Sequence, residues 1–190
     1  MKILLLVFCF FSIASCNQQT INYKEISKRT LASKDIIKEF GGELKEQLQS
    51  AMKSGGPIAA MTVCYEQAPI IANKLSERTG WDIHRTSLKP RHTKPDAWET
   101  SIMQSFEQRQ ADGDKFKSLF NQDISEVNGQ ASFRYMQAIE TQHVCLVCHG
   151  ENVAPEIAQK IKKLYPNDTA TGFKLGDIRG AFSIVQPLTD

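Results

Sequence analysis

The 190-residue chain lacks most of the features by which a function announces itself, and each lack removes a class. There is no block of basic residues, and 23 Lys and Arg against 21 Asp and Glu leave a formal net charge of +2, so nothing addresses nucleic acid. No internal repeat or low-complexity segment occurs, which leaves a compact domain as the default. No kinase, cyclase or methyl-accepting module is present, so any signal must pass to a separate partner. The apolar run from Ile3 to Ile13 is too short to stay in a bilayer as a spanning helix. Cysteine is scarce, five residues in all. Zinc would want a second ligand pair, and no other Cys or His pair shares the two-residue spacing of the one close pair. Length and apolar content suit one domain with one core.

What is present is concentrated in Cys145-Leu146-Val147-Cys148-His149. The pattern C-x-x-C-H is the attachment signature of a c-type haem. Two thiols add to the two vinyl groups on one porphyrin edge, and the next residue swings an imidazole under the iron. Cys145 and Cys148 are therefore expected to be thioether-linked to one covalent haem c, with His149 as the proximal ligand. A redox dithiol is the alternative use of such a pair.

The N-terminus points to a compartment where such haems are attached. Lys2 precedes the apolar run, which has the shape of a signal h-region, and Ile13-Ala14-Ser15-Cys16 resembles a bacterial lipobox. Residues 1–15 are expected to be a lipoprotein signal peptide, Cys16 the acylated first residue of the mature chain, and 16–29 a linker to a haem domain over 30–190. An ordinary signal peptide cut nearby is the alternative. On the first reading the protein is exported and tethered to a membrane surface, facing the periplasm. With Cys9, Cys16, Cys145 and Cys148 accounted for, Cys64 is left as an unpaired thiol in an exported protein.

Periodicity predicts a helix over 24–54, with Ile37, Phe40, Leu44, Leu48 and Met52 forming one stripe. Gly41-Gly42 would kink or divide it and Gly55-Gly56-Pro57 would stop it. Residues 57–64 are ambiguous between strand and buried helix. Short helices are expected from Ala68 to Arg78 and from Pro155 to Leu164. Between them Asp96 and Glu99 form a capping-box pattern ahead of Trp98, Ile102 and Phe106. Alternation predicts strands over 132–140 and about 178–188. Helices first and strands later give an α+β class, a small antiparallel sheet backed by helices with a long N-terminal helix.

The second axial ligand decides what a haem here can do. Cys64, Met61, Met136, His84 and His92 all remain candidates. His143 is too close in sequence to Cys145 to reach the far face with ease. Cys64 follows the apolar run Ile58 to Val63, which suits a haem-cavity wall and equally suits a buried inert thiol.

Three segments resemble a family of single-haem c-type domains with a PAS-like fold, long catalogued as a domain of unknown function. They are Val63-Cys64-Tyr65-Glu66-Gln67-Ala68-Pro69, then Arg85-Thr86-Ser87-Leu88-Lys89-Pro90-Arg91, and Cys145 to Gly150 with Gly176-Asp177-Ile178-Arg179-Gly180-Ala181. The similarity spans roughly residues 30–188. The resemblance implies that His149 and Cys64 hold the iron. The chain departs from the family in having His84 where a basic residue usually precedes the Arg, and in a shorter loop before Pro95-Asp96.

Arg forks match carboxylates, so Arg85 and Arg91 are expected at the haem propionates. Lys89 reads equally well as part of a solvated loop, and Arg179 is expected to pair with Asp177 and is not assigned to haem. An imidazole opposite a thiolate favours ferric iron and a low potential. The expected function is a redox or gas sensor, or a low-potential electron carrier, without catalysis. Its partner is a separate redox or signalling protein, and CO or NO binds the reduced form. The alternative is a haem peroxidase with an open distal face, served by His84 or His92 with Arg85.

Overall fold

The computed structural model describes residues 22–188. The signal segment, Cys16 and residues 16–21 of the expected linker lie outside the described residues. Helix α1 runs from Tyr23 to Thr62, opened by Asn22, whose side-chain oxygen accepts the Glu25 amide at 2.9 Å. The linker expectation is corrected here. Residues 23–29 are helical, and Arg29 Nη1 reaches Gln186 Oε1 at 3.3 Å while Gln186 Nε2 donates back to the Arg29 carbonyl at 3.1 Å. Ile36, Ile37, Phe40 and Leu44 form the buried stripe.

Gly41 and Gly42, expected to kink or divide this helix, continue it. The bare Cα of Gly41 lies against the Phe182 ring, to which an added Cβ would come within 3.5 Å. The break falls at Gly56, whose φ of 68° belongs to the left-handed region, next to Pro57, which has no amide to donate. This is a kink and not a stop. Helix resumes at Pro57 because Ala60 and Met61, both 2% exposed, bury that turn. It then widens into a π turn, Val63–Gln67, before α2, Ala68–Thr79. The widening has a local cause in Pro69, which cannot donate backwards and whose ring would crowd the carbonyl of Tyr65. α2 ends at Gly80, left-handed at φ 71°.

The sheet has four antiparallel strands in the order β1-β4-β3-β2: β1 Asp82–Thr86, β2 Phe120–Val127, β3 Gln130–Glu140 and β4 Ile178–Pro187. β3 and β4 match the expected strands; β1 and β2 were not foreseen. β2 and β3 form a hairpin over Asn128-Gly129, both at positive φ. Alternation sorts the two faces. Ile83, Phe133, Tyr135 and Ile184 pack under α1 and α2. Met136, Ala138, Ile178 and Ala181 pack under Met103 and Phe106 of α3, Ala97–Ala111. The Asp96–Glu99 capping box is present at 2.7 and 3.0 Å. The architecture is thus α+β with a long N-terminal helix, consistent with a PAS-like fold.

A third cluster prepares the site. Helix α4, His143–His149, and helix α5, Pro155–Leu164, meet the end of α1, where Met61, Ile157, Ile161 and Tyr165 bury one another against Val147 and Cys148. Each such fully buried side chain is worth about 1.5–3 kcal/mol. No helix among the described residues is long and apolar enough to cross a membrane.

Candidate functional site

Helix α4 carries Cys145, Cys148 and His149 within its seven residues. The chain leaves it sharply at Gly150, where any Cβ would come within 2.5 Å of the Leu146 carbonyl oxygen. The exit lets the segment after Tyr165 fold back alongside, with the Phe173 amide donating to the His149 carbonyl at 2.9 Å. His149 Nδ1 lies 2.7 Å from the Ala170 carbonyl oxygen. A carbonyl only accepts, so Nδ1 carries the proton and Nε2 is the bare nitrogen. Burial, together with the nearby Arg179 and Arg91, holds the ring well below the usual histidine range, which keeps it neutral. This is the state in which an imidazole binds a metal.

Cys64 sits on the π turn at the end of α1, half-buried and free of any disulfide, as are Cys145 and Cys148. Burial pushes the Cys64 thiol up, against the pull of Arg85, Arg91 and Arg179, and Cys145 adds to the rise. The Cys148 thiol is likewise raised by burial and feels Arg91, Cys64 and Cys145. The three thiols therefore share one electrostatic neighbourhood. Among the described residues, no group of three or more His, Cys, Asp or Glu side chains could hold a bare metal ion. The donors meet across a space and not around a point.

Three arginines border that space, and their partners differ. Arg91, expected at a propionate, already has a carboxylate. Its Nε and Nη2 donate to Asp168 at 2.8 and 3.2 Å, Nη2 also reaches the Cys148 carbonyl at 2.9 Å, and both side chains are 9% exposed. The propionate assignment is corrected for Arg91, which ties the returning segment to the end of α4. Arg85, also expected at a propionate, has other surroundings. It lies on the α1 side of β1 over Phe40, and among the described residues its buried Nε has no hydrogen-bond partner and its guanidinium no ion pair with a carboxylate. A buried cation left so is costly unless an anion arrives.

Arg179 was not assigned to the site, and that expectation is also corrected. Asp177 accepts the Lys174 amide at 2.7 Å and leaves Arg179 to turn inward. Its Nη2 stands 3.5 Å from His149 Nε2, Nη1 donates to Ser87 Oγ at 3.3 Å, and the guanidinium lies over Phe173. Burial, with repulsion from Arg91 and Arg85, lowers it to about 10. Any metal taken by Nε2 requires Arg179 to swing aside.

The other ligand candidates fall away. His84 alternates to the α3 face of β1, where Nδ1 meets Asp82 at 3.1 Å and Nε2 meets the buried Glu99 at 2.8 Å. Met136 is buried under α3, and His92 and His143 are exposed. Met61 stays beside Cys148 in the core cluster. Of the candidates weighed, Cys64 and Met61 are the two beside Cys148.

These residues fit a flat, anionic group: a bare imidazole nitrogen, three free thiols of which two lie one helical turn apart, and two cations without carboxylate partners among the described residues. A search of curated proteins gave no match. Among solved structures, the crystal structure of the cyanobacterial heme-protein Tll0287 has the same fold, with a TM-score of 0.61 at 23% identity over 90% of this chain and 99% of that one. The sequence matches the Tll0287-like family over residues 14–187, so the chain belongs to that family.

Proposed function

We propose that the chain is an exported c-type haem protein that works as a redox or gas sensor or as a low-potential electron carrier. The observation that carries this is that His149, its Nε2 left bare, and Cys64 both feel the same three arginines, Arg85, Arg91 and Arg179, beside the C-x-x-C-H helix. The likeness to a heme-protein of the same fold supports it. Cys145 and Cys148 would supply the thioether sulfurs, His149 and Cys64 would hold the iron, and Arg85 would offer a cation to a propionate. Bound there, haem c would supply one-electron chemistry and, once reduced, a site for CO or NO. The Ala170 carbonyl fixes the tautomer and plane of His149. The Arg91–Asp168 pair holds the segment that carries that carbonyl. A lipid on Cys16 would tether the domain to a membrane surface.

No observation favours the peroxidase reading, because His84, its nearest acid–base group, is engaged on the other face of the sheet. The test is the absorption and low-temperature EPR spectrum of the ferric protein, with mass spectrometry for the covalent link. A low-spin thiolate signature lost in Cys64→Ala is expected. An unchanged spectrum in the variant would move the ligand to Met61, and a protein that stays haem-free after expression with a haem-attachment system would end the proposal.

A further inference from the structure

Helix α5 has two faces with different work. Ile157, Ile161 and Tyr165 turn inward against Met61, Val147 and Cys148, so the helix lies directly over the site. Its outer side carries Lys160, Lys162 and Lys163 against the single acid Glu156, and none of the three lysines has an ion-pair partner among the described residues. In a chain whose whole net charge is +2, this is a local excess. The lysines rim a groove of about 600 Å³ that also takes in Glu156, Gln159 and Ile58, the last 40% exposed.

We infer that this lysine-rimmed groove docks an acidic protein that exchanges electrons with the site beneath α5. The inference rests on the proposed function for its electron-transfer half only. Opposed charge favours such an encounter and raises its rate 10- to 1,000-fold at low salt. The shape argues for a protein and against a lipid surface. Ile58 lines a concavity between charged side chains, where a partner's apolar side chain flanked by carboxylates can enter, whereas a membrane-inserting face leads with its apolar residues. Placing the contact on α5 also sets the partner one helix thickness from Cys148.

The test uses an acidic plant-type ferredoxin as the probe. Binding of the full-length protein is measured by calorimetry, and reduction of the ferric protein by stopped flow, for wild type and for the Lys160→Glu, Lys162→Glu, Lys163→Glu triple variant. The variant should bind at least tenfold more weakly and lose its salt dependence, with reduction by dithionite unchanged. The glutamine triple variant should fall between. Equal binding by wild type and charge-reversed variant would overturn the inference, as would lysine-dependent binding to phosphatidylglycerol vesicles without lysine-dependent binding to ferredoxin. Calorimetry needs no haem, so a chain without a haem band sinks the proposed function and still leaves the groove to be judged.

Discussion

His84 links strand β1 to helix α3, and its titration has a direction that can be measured. Burial alone would lower its pKa, but hydrogen bonds and charge from Asp82 and Glu99 outweigh that and raise it from 6.5 to about 9. Glu99 moves the opposite way. Burial would raise it, but His84 and the Asp96 amide carry it down to about 2 from 4.5. A group with a raised folded pKa contributes fully below its unfolded value, so the His84 contribution is complete below pH 6.5 and is lost as pH climbs towards 9. A depressed acid contributes above its unfolded value, so the Glu99 part is complete above pH 4.5 and is lost as pH falls towards 2. The interaction is therefore at full strength between those limits. At 1.36 kcal/mol per pKa unit, the His84 shift corresponds to about 3 kcal/mol. Asp82 has a side chain 67% exposed, and solvent screens its share, so about 1.5–3 kcal/mol is the expected loss between pH 6.5 and 9. Urea unfolding at a series of pH values, wild type against His84→Gln, isolates the term, because other titrating groups cancel in the difference. The stability gap should shrink by that amount across the window. A gap that stays level from pH 6 to pH 9 would refute the reasoning.

Two further expectations follow from packing. Arg91→Ala leaves Asp168 buried beside the site without its cation and should cost about 3–5 kcal/mol. Asp168→Ala should cost a similar amount and the double variant much less than the sum, a coupling that a double-mutant cycle by urea unfolding reads directly. Gly180→Ala would put a Cβ within 2.3 Å of the Thr86 carbonyl oxygen at a φ of 155°, so β1 must part from β4 there. A loss of more than about 2 kcal/mol is expected, with faster exchange of the β1 amides by NMR, and native exchange rates would refute it.

What was legible in the sequence was local, and what was not depends on contacts far along the chain. The capping box at Asp96 and Glu99 is decided within one helical turn, and α3 begins there. The C-x-x-C-H spacing is a local pattern within one helical turn, so it reads without any fold. β1 hid because Ile83 is its one apolar core residue, and the positions after it are polar for unrelated reasons. His84 is taken up by Glu99 on one face, and Arg85 lies over Phe40 on the other, so no apolar alternation remains. β2 hid because it is an edge strand with three consecutive exposed residues, although Asn128-Gly129 marks its hairpin plainly. The Gly55-Gly56-Pro57 stop was misread because burial of Ala60 and Met61 restarts the helix that the backbone breaks. That restart delivers Cys64 to the site, and Pro69 sets the wide turn on which it sits.

The arginines show the same division at the level of function. Arg91 and Asp168 are separated by 77 positions, and only the fold can reveal that this cation is already neutralised. Arg179 and Asp177 are near neighbours, yet the acid caps the Lys174 turn, and the register of β4 beside Ser87 sends the guanidinium to His149. Of the three arginines bordering the site, Arg91 is spent on structure and Arg179 stands against His149 Nε2, which leaves Arg85 as the cation offered to a propionate of the proposed group. That division, unlike the motif, belongs to the folded chain alone.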